Sequence, residues 1–135
     1  MYVYENWIKD AYENSVKITK NGIIIKVNII IENEDDLFSA HCLEFDLVGE
    51  GDTVEEAEKS IINNIVNYIT FAISKGLFNK IINPAPPEYW NKLIHSKFLK
   101  PIFITPDKEA LSKKTSFPFL NDLSGEINSY QINHA

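Results

Sequence analysis

Between Leu37 and Gly76 the sequence LFSAHCLEFDLVGEGDTVEEAEKSIINNIVNYITFAISKG changes its hydrophobic period within a few residues, and that junction dictates the local fold. Phe38, Ala40 and Cys42 alternate with Ser39, His41 and Leu43 in a segment rich in strand formers, so a strand runs into the turn-rich Gly49-Glu50-Gly51-Asp52. Thr53 then precedes a long run of helical period, and Glu56 follows three residues later. This is the pattern of a reciprocal capping box, in which each side chain satisfies a backbone N–H that the helix start leaves unpaired. A helix therefore begins at Val54. Its apolar positions are Val54, Ala57, Ile61, Ile65, Tyr68, Ile69 and Ala72, with Ile62, Val66 and Ile73 widening the stripe along one flank. The stripe spans roughly half the circumference, more than the ~100° that one core surface needs, so the flank requires a second cover from a later segment or another subunit. Phe71 lies outside the stripe, and Gly76 is placed to end the helix in the left-handed conformation.

Upstream, Tyr4, Trp7, Ile8 and Ala11 fall at helical spacing and predict a short N-terminal helix within Tyr4–Asn14. Val16 and Ile18 alternate with lysines up to Asn21-Gly22, a dipeptide suited to a two-residue hairpin turn. The next run, Ile23–Glu32, sets Ile23, Ile25, Val27, Ile29 and Ile31 on one face and Ile24, Lys26, Asn28 and Ile30 on the other. Asn33-Glu34-Asp35-Asp36 breaks the pattern as an acidic turn, making the strands on either side antiparallel neighbours in a meander complete at Val48. Downstream, Pro84-Ala85-Pro86-Pro87 excludes helix and central strand. With no basic flank and Trp90 following at once, it is better suited to an internal connector than to an SH3-type ligand. A second helix starts near Pro87 with Trp90, Leu93, Ile94 and Phe98 as its stripe, Ile102-Phe103-Ile104 is strand-like, and Asp107–Asn121 is loop. Ile127, Tyr130 and Ile132 suggest a last strand at the sheet edge.

Phe38, Ala40, Gly51, Asp52, Thr53, Glu55, Glu56 and Ala57 form a strand-to-helix pattern with the helix start Gly-Asp-Thr-x-x-Glu-Ala. That pattern resembles the HicB-like antitoxin domain, and the Cys42–Asp46 segment with Pro84–Pro87 is similar to the stand-alone branch of that family. The resemblance covers a core at residues 16–76, with a C-terminal extension at 77–135, in a chain whose length suits a single domain over 1–135. It implies an α+β fold: a three- to four-stranded antiparallel sheet with one long helix packed on it, a partial version of the ribonuclease H topology. The Pro-rich extension adds a short second helix. The structural motif is Gly51, Asp52, Thr53, Glu56 and Ala57.

Charge then bears on function. From Glu32 to Glu58 there are eleven acidic residues and no lysine, which speaks against phosphate-backbone binding and for a basic partner, with solubility as the plainer explanation. The resemblance implies that such a partner is a small basic HicA-like ribonuclease toxin whose RNA-binding surface is covered by Glu44, Asp46, Glu50, Asp52 and Glu55. Ile24, Ile30, Ile62, Val66 and Ile73 leave apolar surface on both sides of the sheet–helix sandwich and point to a homodimer or higher homo-oligomer. The alternative is a stand-alone oligomeric module, regulatory or ligand-binding, with no toxin partner. A weaker one is a metal-dependent nuclease using Glu44, Asp46 and Asp52, with Glu44 and Asp46 on one strand face. No P-loop, dinucleotide fingerprint, nucleophile elbow or zinc spacing occurs, so no catalytic residue, metal site or cofactor is expected. Cys42, the one cysteine, is better explained as a small core residue than as a reactive thiol. The region after Gly76 has no arginine and no two-helix module with a basic face, which speaks against operator DNA binding. Without a signal-peptide pattern or a membrane-length apolar run, a cytoplasmic location is expected.

Overall fold

The computed structural model describes residues 14–19, 22–104 and 123–132. The helix expected within Tyr4–Asn14 and the loop expected over Asp107–Asn121 lie outside these residues, Asn14 apart. The chain forms strands β1 (Val16–Thr19), β2 (Gly22–Glu34), β3 (Leu37–Cys42) and β4 (Leu47–Gly51), then the long helix α1 (Val54–Ser74). A 3-10 turn at Phe78–Lys80, the short helix α2 (Pro87–Ile94) and strands β5 (Lys97–Ile104) and β6 (Leu123–Ile132) follow.

The α+β class is the one expected, but the sheet is larger and mixed. It has six strands in the order β4-β3-β2-β6-β5, with β1 also paired to β2. β1, β3 and β4 join β2 as the expected antiparallel meander. β6 is not an edge strand: it runs parallel to β2 from Ile23↔Leu123 to Glu32↔Ile132, and β5 closes the far side. The polar Ser124, Glu126, Asn128 and Gln131 made this segment look peripheral, yet its alternate residues Leu123, Ile127 and Ser129 are buried in the sheet.

Because β6 occupies one edge of β2, both β1 and β3 must share the other. They do so end to end, β1 over Gly22–Ile25 and β3 over Ile29–Glu34. The strand from Leu37 is shorter than expected and the meander gains another, ending at Gly51, since a turn at 43–46 divides what resembles one strand into β3 and β4. Asp46 takes a φ of 53° in that turn and Asp35 a φ of 58° in the acidic turn before β3, a region that Asp and Asn tolerate better than most residues.

α1 begins as its capping pattern requires. Thr53 Oγ1 accepts from the Glu56 N–H at 3.1 Å, while the Glu56 carboxylate accepts from the N–H of Asp52 at 2.8 Å, one residue earlier than the usual box. At the other end Gly76, φ 67°, donates to Ile73 O and Leu77 to Ala72 O, the paired bonds of a Schellman motif. Gly49 and Gly51 belong to β4 rather than to a turn. A Cβ at either would come within 2.5 Å of α1, on Ile61 N or Glu56 Cβ, so their bareness lets the helix lie directly on β4.

The isoleucine face of β2 buries Ile23, Ile25, Val27, Ile29 and Ile31 under Ala57, Ile61, Ile65, Ile69 and Ala72 of α1, forming one continuous core. Ile62, Val66 and Ile73 are half-buried against this same core, so the flank expected to need a partner is largely provided for within the chain. The opposite face has a small second core: Ile30, Leu43, Ala85 and Trp90. The helix from Pro87 is present, but only Trp90 of its expected stripe is fully buried; Ile94 is exposed and Phe98 belongs to β5. The proline connector is internal, held to the β3–β4 turn by Asn83 N–H to Glu44 O (3.0 Å) and Ala85 N–H to Leu43 O (2.8 Å). The Trp90 indole N–H donates to Ala85 O at 3.0 Å.

Candidate functional site

The second face of the sheet, partly roofed by α2, brings most of the chain's unusual chemistry together. Strand alternation and register place Glu32 and Glu34 of β2, Ser39 and His41 of β3 and Val48 of β4 on this face. Pro86, Tyr89 and Lys92 form a wall opposite them, and the cleft between encloses about 400 Å³. His41 Nε2 and Asp46 Oδ1 lie 2.7 Å apart across the β3–β4 turn, and the Tyr89 ring meets His41 edge-on with centroids 4.8 Å apart. Lys92 Nζ donates to Glu32 Oε1 at 2.8 Å and lies 5.1 Å from the centre of the Tyr89 ring. Glu34 stands exposed at the mouth.

Acidic side chains extend from this cleft to the neighbouring end of the sheet. Phe38 pairs with both Asn33 and Gly51, so the β2–β3 turn lies beside the β4–α1 junction. Glu34, Asp35 and Asp36 therefore adjoin Glu50, Asp52, Glu55 and Glu56, all exposed. Asp52, Glu55 and Glu56 also favour the positive end of α1, a structural role independent of any partner. Of the eleven acidic residues, Glu32, Glu44 and Glu58 are buried and the rest are exposed. Glu58 is retained inside because Ser129 Oγ donates to it at 2.8 Å and Lys100 Nζ lies 3.1 Å away.

Glu44 needs a correction. It shares no strand face with Asp46 and offers nothing to a partner, because its side chain turns inward with no exposure. Its carboxylate accepts from the Asn28 backbone N–H at 2.9 Å and from Asn28 Nδ2 at 2.7 Å. This fills the gap between β1 and β3, where β2 has no strand beside it to accept that N–H. Burial pushes the Glu44 carboxyl from 4.5 to about 7, with the Asn28 bonds opposing the rise. Burial likewise raises the Cys42 thiol, with the Glu44 charge adding to the effect, which suits an inert core residue.

The other sequence-derived groups separate in space. Asp46 and Asp52 flank the two ends of β4, about 20 Å apart at the usual strand rise, and Glu44 faces inside. The three acids do not converge, and no metal-holding group of His, Cys, Asp or Glu forms among the described residues. Ile30, expected at an oligomer interface, is buried beside Trp90, whereas Ile24 is 43% exposed on the face opposite Ile62, Val66 and Ile73. The His41–Asp46 pair, Tyr89 and Lys92 went unnoticed in the sequence. Alternation on β2 could have placed Glu32 and Glu34 beside one another, but nothing local announces a lysine 60 residues away as their neighbour.

Comparison with family models, curated proteins and solved structures finds no match. No helix among the described residues is long and apolar enough to cross a membrane.

Proposed function

We propose that this domain is a non-catalytic protein-binding module resembling a HicB antitoxin, acting in the cytoplasm to neutralise a small basic HicA-like ribonuclease by covering its RNA-binding surface. The observation that carries the reading is the gathering of Glu34, Asp35, Asp36, Glu50, Asp52 and Glu55 at one end of the sheet, with Asp46 on the adjoining cleft. A field of one sign attracts a surface built to hold phosphates and competes with RNA for it. The antiparallel meander β1–β4 with α1 across it is in keeping with the part of the fold that the resemblance implies, while the parallel β6 and its neighbour β5 go beyond it. Glu44 is set aside as a contact, while Asp46, Glu50, Asp52 and Glu55 are retained. The test is capture of a HicA-like ribonuclease encoded beside this chain. Capture that weakens steeply with added salt and is lost in Asp36→Lys/Asp52→Lys supports the reading; capture indifferent to both removes its electrostatic basis.

A second reading, a stand-alone homo-oligomer, draws on a different observation. Phe98, Phe103 and Ile24 are exposed on the second face beyond α2, at 49%, 67% and 43%. Such a patch is suited to a second copy of the chain. Sedimentation equilibrium on wild type and Phe103→Ser separates the two: a dimer lost on substitution favours this reading, and a monomer throughout removes it.

A further inference from the structure

The cleft between α2 and the sheet has charge left over after its internal pairs are counted. Lys92 is held by Glu32 and His41 by Asp46, leaving Glu34 and the second Asp46 oxygen as carboxylate acceptors facing outward. No hydrogen bond among the described residues engages the Glu34 carboxylate or the hydroxyls of Ser39 and Tyr89. The cleft thus offers mostly acceptors to whatever enters it, the complement of a side chain rich in N–H donors and positive charge. Its length follows from strand register. Glu34 pairs with Leu37 and Ile30 with His41, so the Glu34 end and the Asp46 end lie about four strand residues, or ~13 Å, apart. One guanidinium cannot span that distance.

We infer that this cleft receives an extended basic segment of the partner protein, with one cationic side chain against Asp46 and Tyr89 and a second, about four residues along, against Glu34 and Ser39. The inference rests on the basic-partner reading above and deepens it by naming the chemistry and spacing of what is recognised. Arginine suits both positions better than lysine, because its planar fork of donors can engage a carboxylate and a neighbouring hydroxyl together.

The probe is an acetylated, amidated pentapeptide, Arg-Gly-Ser-Gly-Arg, titrated into the full chain while the His41 and Tyr89 ring signals are followed by NMR. Saturable shifts are expected, weakened roughly three- to tenfold by Glu34→Gln and by Asp46→Asn separately, and by replacing either peptide arginine with alanine. Both substitutions sit at exposed positions, and Asn tolerates the left-handed backbone of Asp46, so folding is preserved. Absence of binding, or binding unmoved by these two variants but reduced by Asp36→Asn/Asp52→Asn, overturns the cleft assignment. The ribonuclease capture assay on the same variants separates the two ideas. Capture kept in Glu34→Gln/Asp46→Asn removes the cleft and leaves the basic-partner reading standing. Peptide binding without ribonuclease capture keeps the cleft as a basic-segment site and removes the ribonuclease.

Discussion

The two faces of β2 come from one alternating run of isoleucines, and they meet different fates. On one, α1 arrives from the adjacent stretch of chain and lies close on β4 because Gly49 and Gly51 have no side chain to hold it off. On the other, the cover among the described residues comes from α2, the proline connector before it and the β3–β4 turn, and it seals little beyond Ile30. The same division appears at the edges of β4. One edge pairs with β3, while at the other α1 side chains reach the backbone, Asn64 Nδ2 donating to Val48 O at 2.8 Å and Ser60 Oγ accepting from the Glu50 N–H at 3.3 Å. A helix that satisfies an edge in this way discourages strand addition there. Stability is thus concentrated on the α1 face, and room for recognition on the other.

The largest expected effect tests that division directly. Ile29→Ala should cost about 2–5 kcal/mol in equilibrium denaturation, through lost burial and an unfilled cavity. Ile24→Ala, on the same strand but pointing to the open face, should stay within about 0.5 kcal/mol. Similar costs for the two would mean that the second face is as fully covered as the first.

Next in size is a pH effect centred on Glu44, where the two faces meet the gap in the strand ladder. Its folded value of about 7 exceeds the ordinary 4.5, so the folded chain holds this proton more tightly than the unfolded one. Its contribution to stability is complete below about pH 4.5 and is lost as pH rises through about 7. Glu44→Gln keeps an oxygen acceptor for the Asn28 N–H and cannot ionise. The stability difference between variant and wild type should therefore shift by about 3 kcal/mol in the variant's favour between the two ends of that window. A constant difference across the range would show that Glu44 ionises in the fold as readily as outside it.

The smallest effect lies at the head of α1. Thr53→Ala removes the acceptor for the Glu56 N–H and should cost ~1 kcal/mol, read from the denaturation midpoint. An unchanged midpoint would mean that the Glu56 bond to Asp52 N–H holds the helix start without Thr53.

The contrast between the faces also explains what could be read from the chain before its structure. α1 and its two ends were legible because a cap, an apolar period and a closing glycine lie close together and act locally. The alternation of β2 was equally plain. What could not be read depends on distant pairing: β6 slots between β2 and β5 although its own residues are half polar, and Lys92 finds Glu32 from a separate helix. Glu44 illustrates a further limit. An acidic residue in a turn suggests solvent, and only the end-to-end arrangement of β1 and β3 creates the unpaired Asn28 N–H that draws it inside. The site was therefore half visible, as a charge run in which Asp46, Glu50, Asp52 and Glu55 remain candidates and Glu34 joins them only through the fold. The cleft that gives the run a shape was not visible.

The central claim, that the acidic face masks an RNA-binding surface on a basic protein, is tested most directly by RNA cleavage. A HicA-like ribonuclease encoded beside this chain is mixed with rising amounts of the domain, and cleavage of a single-stranded RNA is followed. The account predicts that cleavage falls to background near equimolar domain, and that Asp36→Lys/Asp52→Lys restores it while the variant remains folded, its denaturation midpoint lowered by no more than the ~1 kcal/mol that a reversed charge costs at the head of α1. Cleavage that continues undiminished with the domain in excess would contradict the claim.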